Sequence, residues 1–254
     1  MQRCSSSLCS LTSLWDQKVL RPPLIYATGL NFRSHAAEVG LMDSIGKYPI
    51  FTMKSSSSVV TPRWETDVVT VVIPKLLKTM PGEVDYEGEL AVLIGTTCKD
   101  VPEDEVHRVV AGFTCALDIT ARRWQGKRGG NQWCYSKSFD TFCPLGPRLV
   151  STEEVPLKEV AGLTLTTWVN GEIRQQSKLE MIFDVKALVA FLSRGQTLLR
   201  GTVILCGTPA GVGYTQKPNP IFLRGGDTVH VEIERVGRLR ASVADEVADC
   251  SSQL

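Results

Sequence analysis

The sequence predicts a β-dominated α+β fold, and three observations carry that expectation. Short apolar or alternating runs recur along the 254 residues, most of them closed by Gly, Pro or Asn-Gly. Helical stripes are few and short. Strand and helix patterns do not alternate regularly, which argues against a doubly wound parallel sheet. The length allows a sizeable core, as one large domain or two small ones. Hydrophobic content of 43% and charged content of 22% are ordinary for a soluble globular chain. A net charge of +1 gives no sign of nucleic-acid or anionic-membrane binding. No apolar run approaches the roughly 20 residues that span a bilayer.

In order along the chain, Pro22-Pro23 opens a short strand over Leu24–Ala27 that ends at Gly29, and residues Ser34–Val39 read as a short helix. Pro49–Met53 is a strand, Ser55–Ser58 a loop, and Val68–Ile73 a strand closed by Pro74. Lys75–Gly82 reads as a polar loop. Asp85 to Ile94 reads as one strand ended by Gly95. Pro102–Val110 has Pro in its first turn, acids early and His107-Arg108 late, the order that suits a helix. Val109–Leu117 is a buried strand ending at Asp118, Thr120–Gln125 a helical turn, and Gly126–Asn131 a basic glycine-rich loop. Leu163–Val169 alternates into Asn170-Gly171, a type I′ hairpin signal. Val185, Leu188, Val189 and Leu192 form a helical stripe stopped near Gly195. Thr202–Cys206 is a buried strand leading into the turn 207–213. Thr228–Val236 alternates with Val229, Val231 and Ile233 inward, and Gly237-Arg238 turns it into a closing strand.

Eight cysteines are scattered with no Cys-x-x-Cys pair and no zinc-type spacing. Reduced thiols in an intracellular setting fit this usage, cytoplasmic before mitochondrial. Cys115 and Cys206 sit inside apolar runs and read as small core residues. Residues 1–23, rich in Ser and Cys, read as an N-terminal extension; a mitochondrial transit peptide is an alternative, but Arg is sparse there. Residues 24–254 read as the folded domain.

Asp85, Glu87 and Glu89 share one strand face at two-residue spacing. Like charges placed so closely before an apolar run repel, and burying them is costly. A bound cation makes the arrangement favourable. Asp118 is the best third ligand: it ends a long apolar strand, on a face it shares with the small Thr114 and Ala116. Three carboxylates with no nearby Cys or His favour Mg²⁺ or Mn²⁺, with Ca²⁺ as a further option. The same residues also fit a solvated strand face, with Asp118 capping the turn at Thr120. His35 and Glu38, three apart on a helix, can hydrogen-bond, as surface pairs often do. The glycines of 207–213 match neither Gly-x-Gly-x-x-Gly nor a P-loop, so a nucleotide site is not supported.

Several ordered motifs together resemble the fumarylacetoacetate hydrolase family. They are Glu87-x-Glu89-Leu90 with Val92-x-Ile94-Gly95; Gly112-Phe113 with Asp118-Ile119-x-Ala121-Arg122; Lys137-Ser138-Phe139-Asp140 with Pro144-x-Gly146-Pro147; and Gly207-Thr208-Pro209-Ala210-Gly211-Val212-Gly213. Gly29-Leu30-Asn31-Phe32-x-x-His35-Ala36-x-Glu38 is similar to the family's lid motif. The resemblance covers roughly Ile25 to Val243.

It implies a mixed β-sandwich roll, usually homodimeric, with a divalent metal on Glu87, Glu89 and Asp118. It further implies His35 oriented by Glu38 as a general base on water, Lys137 stabilising a developing anion, and Gln125 and Thr208 contacting substrate. His107, one helical turn after Glu103, reads as a solvated helix residue, and His230 lies on the polar face of an amphipathic strand. The expected activity is Mg²⁺-dependent cleavage of a C–C bond in a small 2,4-diketo acid, an acylpyruvate or fumarylacetoacetate-like 2-oxo acid. Oxaloacetate decarboxylation and hydroxyheptadienedioate isomerisation on the same metal are the alternatives, and a catalytically idle metal-binding scaffold is the non-enzymatic one. The family's Ala-Arg-acid sequence is broken by Arg123, and Lys127 and Arg128 make the following loop basic, either as a solvated face or as a lid suited to an anionic substrate. Asp85 has no role in the family pattern.

Overall fold

The structure, a computed structural model, describes residues 21–79 and 83–247. Most of the expected extension, the tail after 247 and part of the 75–82 segment lie outside them. In chain order the strands are β1 (Ile25–Gly29), β2 (Ile50–Lys54), β3 (Val59–Val60), β4 (Val68–Ile73), β5 (Val84–Asp85), β6 (Gly88–Ile94), β7 (Val110–Leu117) and β8 (Thr120–Ala121). There follow β9 (Cys143–Ser151), β10 (Thr164–Val169), β11 (Glu172–Lys178), β12 (Val203–Leu205), β13 (Thr228–Ile233) and β14 (Gly237–Asp245). The helices are α1 (Arg33–Glu38), α2 (Lys75–Thr79), α3 (Arg122–Gln125), α4 (Trp133–Ser136) and α5 (Val185–Ser193).

Strands β2-β1-β12-β6-β7-β9-β3 form a seven-stranded mixed sheet, β11-β10-β13-β14-β4 a five-stranded one, and β5-β8 a two-stranded ribbon. Alternation explains how the sheets meet. Leu90, Val92 and Ile94 of β6 and Phe113, Cys115 and Leu117 of β7 join Leu165, Val229, Val231, Ile233 and Leu239 of the second sheet in one buried cluster. The opposite face of the first sheet buries smaller residues, among them Ala27, Ala91 and Ala116 with Ile25, Leu93 and Leu205. The expected β-sandwich architecture is thus present. Asn170 and Gly171 take φ of 53° and 81°, both positive as a type I′ turn requires. Cys115 and Cys206 are fully buried, as expected of core thiols.

Three local expectations are corrected. Lys75–Thr79 is a short helix rather than loop, because Leu77 finds a buried place under it. Pro102–Val110 is not an α-helix but a 3-10 segment over Glu103–Arg108, short enough for Val106 alone to be buried. The carboxylate stretch is two strands, not one. Asp85 pairs with Thr120 in the ribbon, whereas Glu89 lies opposite Ala116 in the large sheet. Gly88, at the start of β6, allows the second sheet to come close: a Cβ there would stand 2.1 Å from Thr167 Oγ1.

Candidate active site

The site is built at the break between β5 and β6. Glu87 sits in that break, and its carbonyl accepts from the Asp118 amide at 2.8 Å, bringing the end of β7 alongside it. Ala116 leaves space beside Glu89. Glu87, Glu89 and Asp118 each present a carboxylate oxygen, and these oxygens lie within 4.8 Å of one another. All three side chains are buried.

Cations surround them. Lys137 Nζ donates to Glu87 Oε2 at 2.8 Å, Asp118 Oδ2 at 2.5 Å and Thr120 Oγ1 at 2.8 Å, which commits all three of its donors. Burial alone would lower the Lys137 pKa, but Asp118 and Glu87 outweigh it and raise it, so the amine stays charged. Lys54 Nζ donates to the other oxygen of Asp118 at 2.6 Å. Arg122 bridges Asp85 and Glu87 at 2.8 and 2.7 Å. Asp85 also accepts from the Gly213 and Tyr214 amides, fixing the loop after the 207–213 turn. Asp85, Glu87, Glu89 and Asp118 therefore face Lys54, Arg122 and Lys137, and one negative charge is left over. It falls on Glu89, whose one hydrogen bond among the described residues is from the Gly207 amide at 2.6 Å.

The donor set fits a divalent cation. It is all oxygen, it is shielded from water, and a carboxylate oxygen that already accepts one proton keeps a second lone pair. Among the described residues Glu89 is the carboxylate of the set with no ion-pair partner. Burial first, then repulsion from Asp118 and Glu87, push its pKa well above the carboxylate range. For Glu87 burial acts the same way, but Arg122 and Lys137 outweigh it and hold the value below that range. The two have opposite pH signatures. The Glu87 contribution to stability is present above the ordinary carboxylate pKa and lost on acidification; the Glu89 contribution is present below it and lost as pH rises through the folded value. Without divalent cations the melting temperature is therefore expected to fall as pH is raised above the ordinary carboxylate range, and saturating Mn²⁺ should remove that fall. Calorimetry should find Mn²⁺ binding tighter at higher pH, with proton release. Identical pH dependence with EDTA and with Mn²⁺ would show that Glu89 holds no ion.

His35 and Glu38 stand across the cavity. His35 Nδ1 and Glu38 Oε1 are 2.7 Å apart. Glu38 also accepts from the Gly211 amide at 3.0 Å and Thr215 Oγ1 at 2.7 Å. Burial raises its pKa, but the hydrogen bonds from His35, Gly211 and Thr215 outweigh this and lower it, so Glu38 is ionised at neutral pH. In the neutral imidazole, an Nδ1–H that donates to the carboxylate puts the lone pair on Nε2. Asn31 fixes the start of α1 by donating to the Phe183 and Cys206 carbonyls and accepting from the Phe183 amide.

A cavity of about 650 Å³ is lined by His35, Glu87, Glu89, Gln125, Lys137 and Thr208, six of the residues singled out from sequence. Asp118 and Glu38 do not line it but bond to the lining residues Lys137 and His35. Gln125 accepts from Arg122 Nη1 at 2.8 Å. The Thr208 hydroxyl is fully engaged: it donates to the Gly88 carbonyl at 2.9 Å and accepts from Gln175 Nε2 at 2.7 Å. Gln175 Oε1 in turn accepts from the Gly88 amide at 2.9 Å, tying the 207–213 turn to the carboxylate strand. His107 is exposed and bonds the Asp104 carbonyl, and His230 sits on β13, both away from the cavity. Sequence reasoning missed Lys54, Gln175 and the roles of Arg122 and Asp85. The signal for Lys54 was its place two residues after Thr52, on one strand face; both are buried.

A family model described as fumarylacetoacetate (FAA) hydrolase C-terminal matches residues 24–244. A mitochondrial oxaloacetate tautomerase, Fahd2a of Rattus norvegicus, is 42% identical over 220 residues, 86% of this chain and 66% of that protein. The chain thus spans a little under two thirds of that relative's length. Among solved structures, a 5-carboxymethyl-2-hydroxymuconate delta-isomerase from Mycobacterium smegmatis superposes with a TM-score of 0.73 at 34% identity, over 91% of this chain and 81% of that one. A maleylpyruvate hydrolase from Sphingobium sp. SYK-6, in complex with manganese(II) and pyruvate, superposes with a TM-score of 0.70 at 30% identity, over 90% of this chain and 72% of that one.

Proposed function

The chain belongs to the fumarylacetoacetate hydrolase family, and from that premise we propose that it is a divalent-metal-dependent enzyme that interconverts the enol and keto forms of a small, oxaloacetate-like 2-oxo acid. The observation that carries the reading is a buried three-carboxylate cluster opening on the same cavity as a hydrogen-bonded His–Glu pair. The tautomerase and isomerase names of relatives point the same way. Glu87, Glu89 and Asp118 would hold Mg²⁺ or Mn²⁺, which supplies Lewis-acid polarisation of a 2-oxo group when bound. His35 takes a proton from one position of the substrate through Nε2 and returns it at the other, held in its tautomer by Glu38. Lys137, with its donors committed, acts as a fixed positive charge beside the developing enolate. The cavity walls limit water, which would otherwise protonate the enol unselectively.

Hydrolysis of a C–C bond in a 2,4-diketo acid is the second reading. It is favoured by the same His35–Glu38 pair, which can activate a water where decarboxylation would need none, and by the hydrolase name of one structural neighbour. An intracellular, mitochondrial setting follows the names of relatives such as Fahd2a, and a homodimer is the expected assembly. The test is ultraviolet detection of oxaloacetate enol decay with Mg²⁺ and with EDTA, alongside pyruvate release from acetylpyruvate. Metal-dependent acceleration of enol decay alone supports tautomerisation; pyruvate release supports hydrolysis. No metal-dependent turnover of either substrate would leave an idle scaffold.

A further inference from the structure

We propose that Lys127 is the specificity residue that binds the second carboxylate of a dicarboxylic 2-oxo acid whose 2-oxo end lies at Glu87, Glu89 and Asp118. The inference rests on the 2-oxo-acid reading above. Four basic side chains of this region line the cavity: Arg122, Lys127, Arg128 and Lys137. Three have carboxylate partners. Arg122 holds Asp85 and Glu87, Lys137 holds Glu87 and Asp118, and Arg128 donates to Glu83 at 2.5 Å. Lys127, exposed at the rim, has no ion-pair partner among the described residues. A charge left unpaired on the wall of a cavity that also holds a 2-oxo-acid-type cluster is complementary to an anion at the far end of the same ligand.

The loop that carries Lys127 is fixed in place. It joins α3 to α4; Arg122 opens α3 and Lys137 directly follows α4, and these two cations grip the two oxygens of Glu87. Trp124 and Tyr135 close the helices on each other edge to face, 5.0 Å between ring centroids. Within the loop, Gly129 and Asn131 donate to the Gly126 carbonyl at 3.0 and 3.1 Å, and Gln132 donates to Trp124 at 2.8 Å. Gly129 lies so close to α3 that a Cβ would stand 2.3 Å from Trp124 Cα. The backbone that carries Lys127 is thus held beside the site, so its ammonium can meet the far end of a ligand whose other end lies at the cluster.

The test measures binding by calorimetry to the Mn²⁺-loaded protein, with 2-oxoglutarate as dianionic and 2-oxobutyrate as monoanionic probe. Wild-type protein should prefer 2-oxoglutarate. Lys127→Gln should weaken 2-oxoglutarate roughly fivefold and leave 2-oxobutyrate within about twofold. Lys127→Glu should weaken the dianion further, while Arg128→Gln, whose guanidinium already has Glu83, should leave the preference unchanged. Equal losses for both probes, no loss for either, or a larger effect at Arg128 would overturn the assignment to Lys127. Binding of both probes without preference would overturn it while the 2-oxo-acid reading stands; failure of both to bind wild-type protein would sink both.

Discussion

Asp118→Ala is expected to remove divalent-cation binding and to lower folding stability by about 3–5 kcal/mol, the range seen when one member of a buried ion pair is deleted. The size follows from what the carboxylate holds. Its two oxygens accept from Lys54 at 2.6 Å and Lys137 at 2.5 Å, and both amines are almost inaccessible. Among the described residues, deleting it leaves Lys54 with the Ile119 carbonyl at 3.3 Å and Lys137 with Glu87 and Thr120. An uncompensated buried ammonium is costly, so the loss should exceed that of a neutral cavity. Asp118→Asn keeps the shape and one acceptor oxygen, and should cost less stability while still weakening Mn²⁺ strongly, because a neutral amide adds no charge to the oxygen set. Urea unfolding and Mn²⁺ titration of both variants separate the two effects. If Asp118→Ala binds Mn²⁺ within threefold of wild type, Asp118 is not a ligand.

That dependence on paired charges marks the limit of what could be read from the chain. Strands were legible because their burial alternates: Val229, Val231 and Ile233 turn inward as the pattern requires. The hairpin at Asn170-Gly171 was legible because only a few residue types accept its backbone. The triad was legible because two acids at a spacing of two, next to a buried run, need an explanation whatever the fold. The break at Tyr86-Glu87 was not, since nothing in the local sequence says that Asp85 will leave the large sheet and pair with Thr120. Asp85, to which the family pattern gives no role, is fully buried because Arg122 and two loop amides converge on it from parts of the chain about 40 and 130 residues away. Lys54 follows the same logic: strand alternation assigns it a face, but only the fold shows that this face holds Asp118. Local pattern reports the period of an element; which charges it meets is a tertiary fact.

His35→Gln is expected to lower kcat by about a hundredfold or more, the usual weight of a positioned general base, with little effect on metal or oxalate binding. The separation follows from the geometry. His35 bonds Glu38, and no hydrogen bond links it to Glu87, Glu89 or Asp118. Gln fills similar space and can keep a hydrogen bond to Glu38, so α1 and the loop that Glu38 anchors through Gly211 and Thr215 should hold. What is lost is a nitrogen lone pair able to take a proton. Glu38→Gln should be milder in kcat, since the imidazole survives, but costlier to structure, because an amide is a weaker acceptor for the Gly211 amide and the Thr215 hydroxyl than the carboxylate it replaces. The order of the two variants in kcat and their reversed order in thermal stability is the pattern that a base and its orienting carboxylate predict. A His35→Gln enzyme working within threefold of wild type on enol decay would place the proton transfer elsewhere, and Glu38 would then be a loop anchor alone.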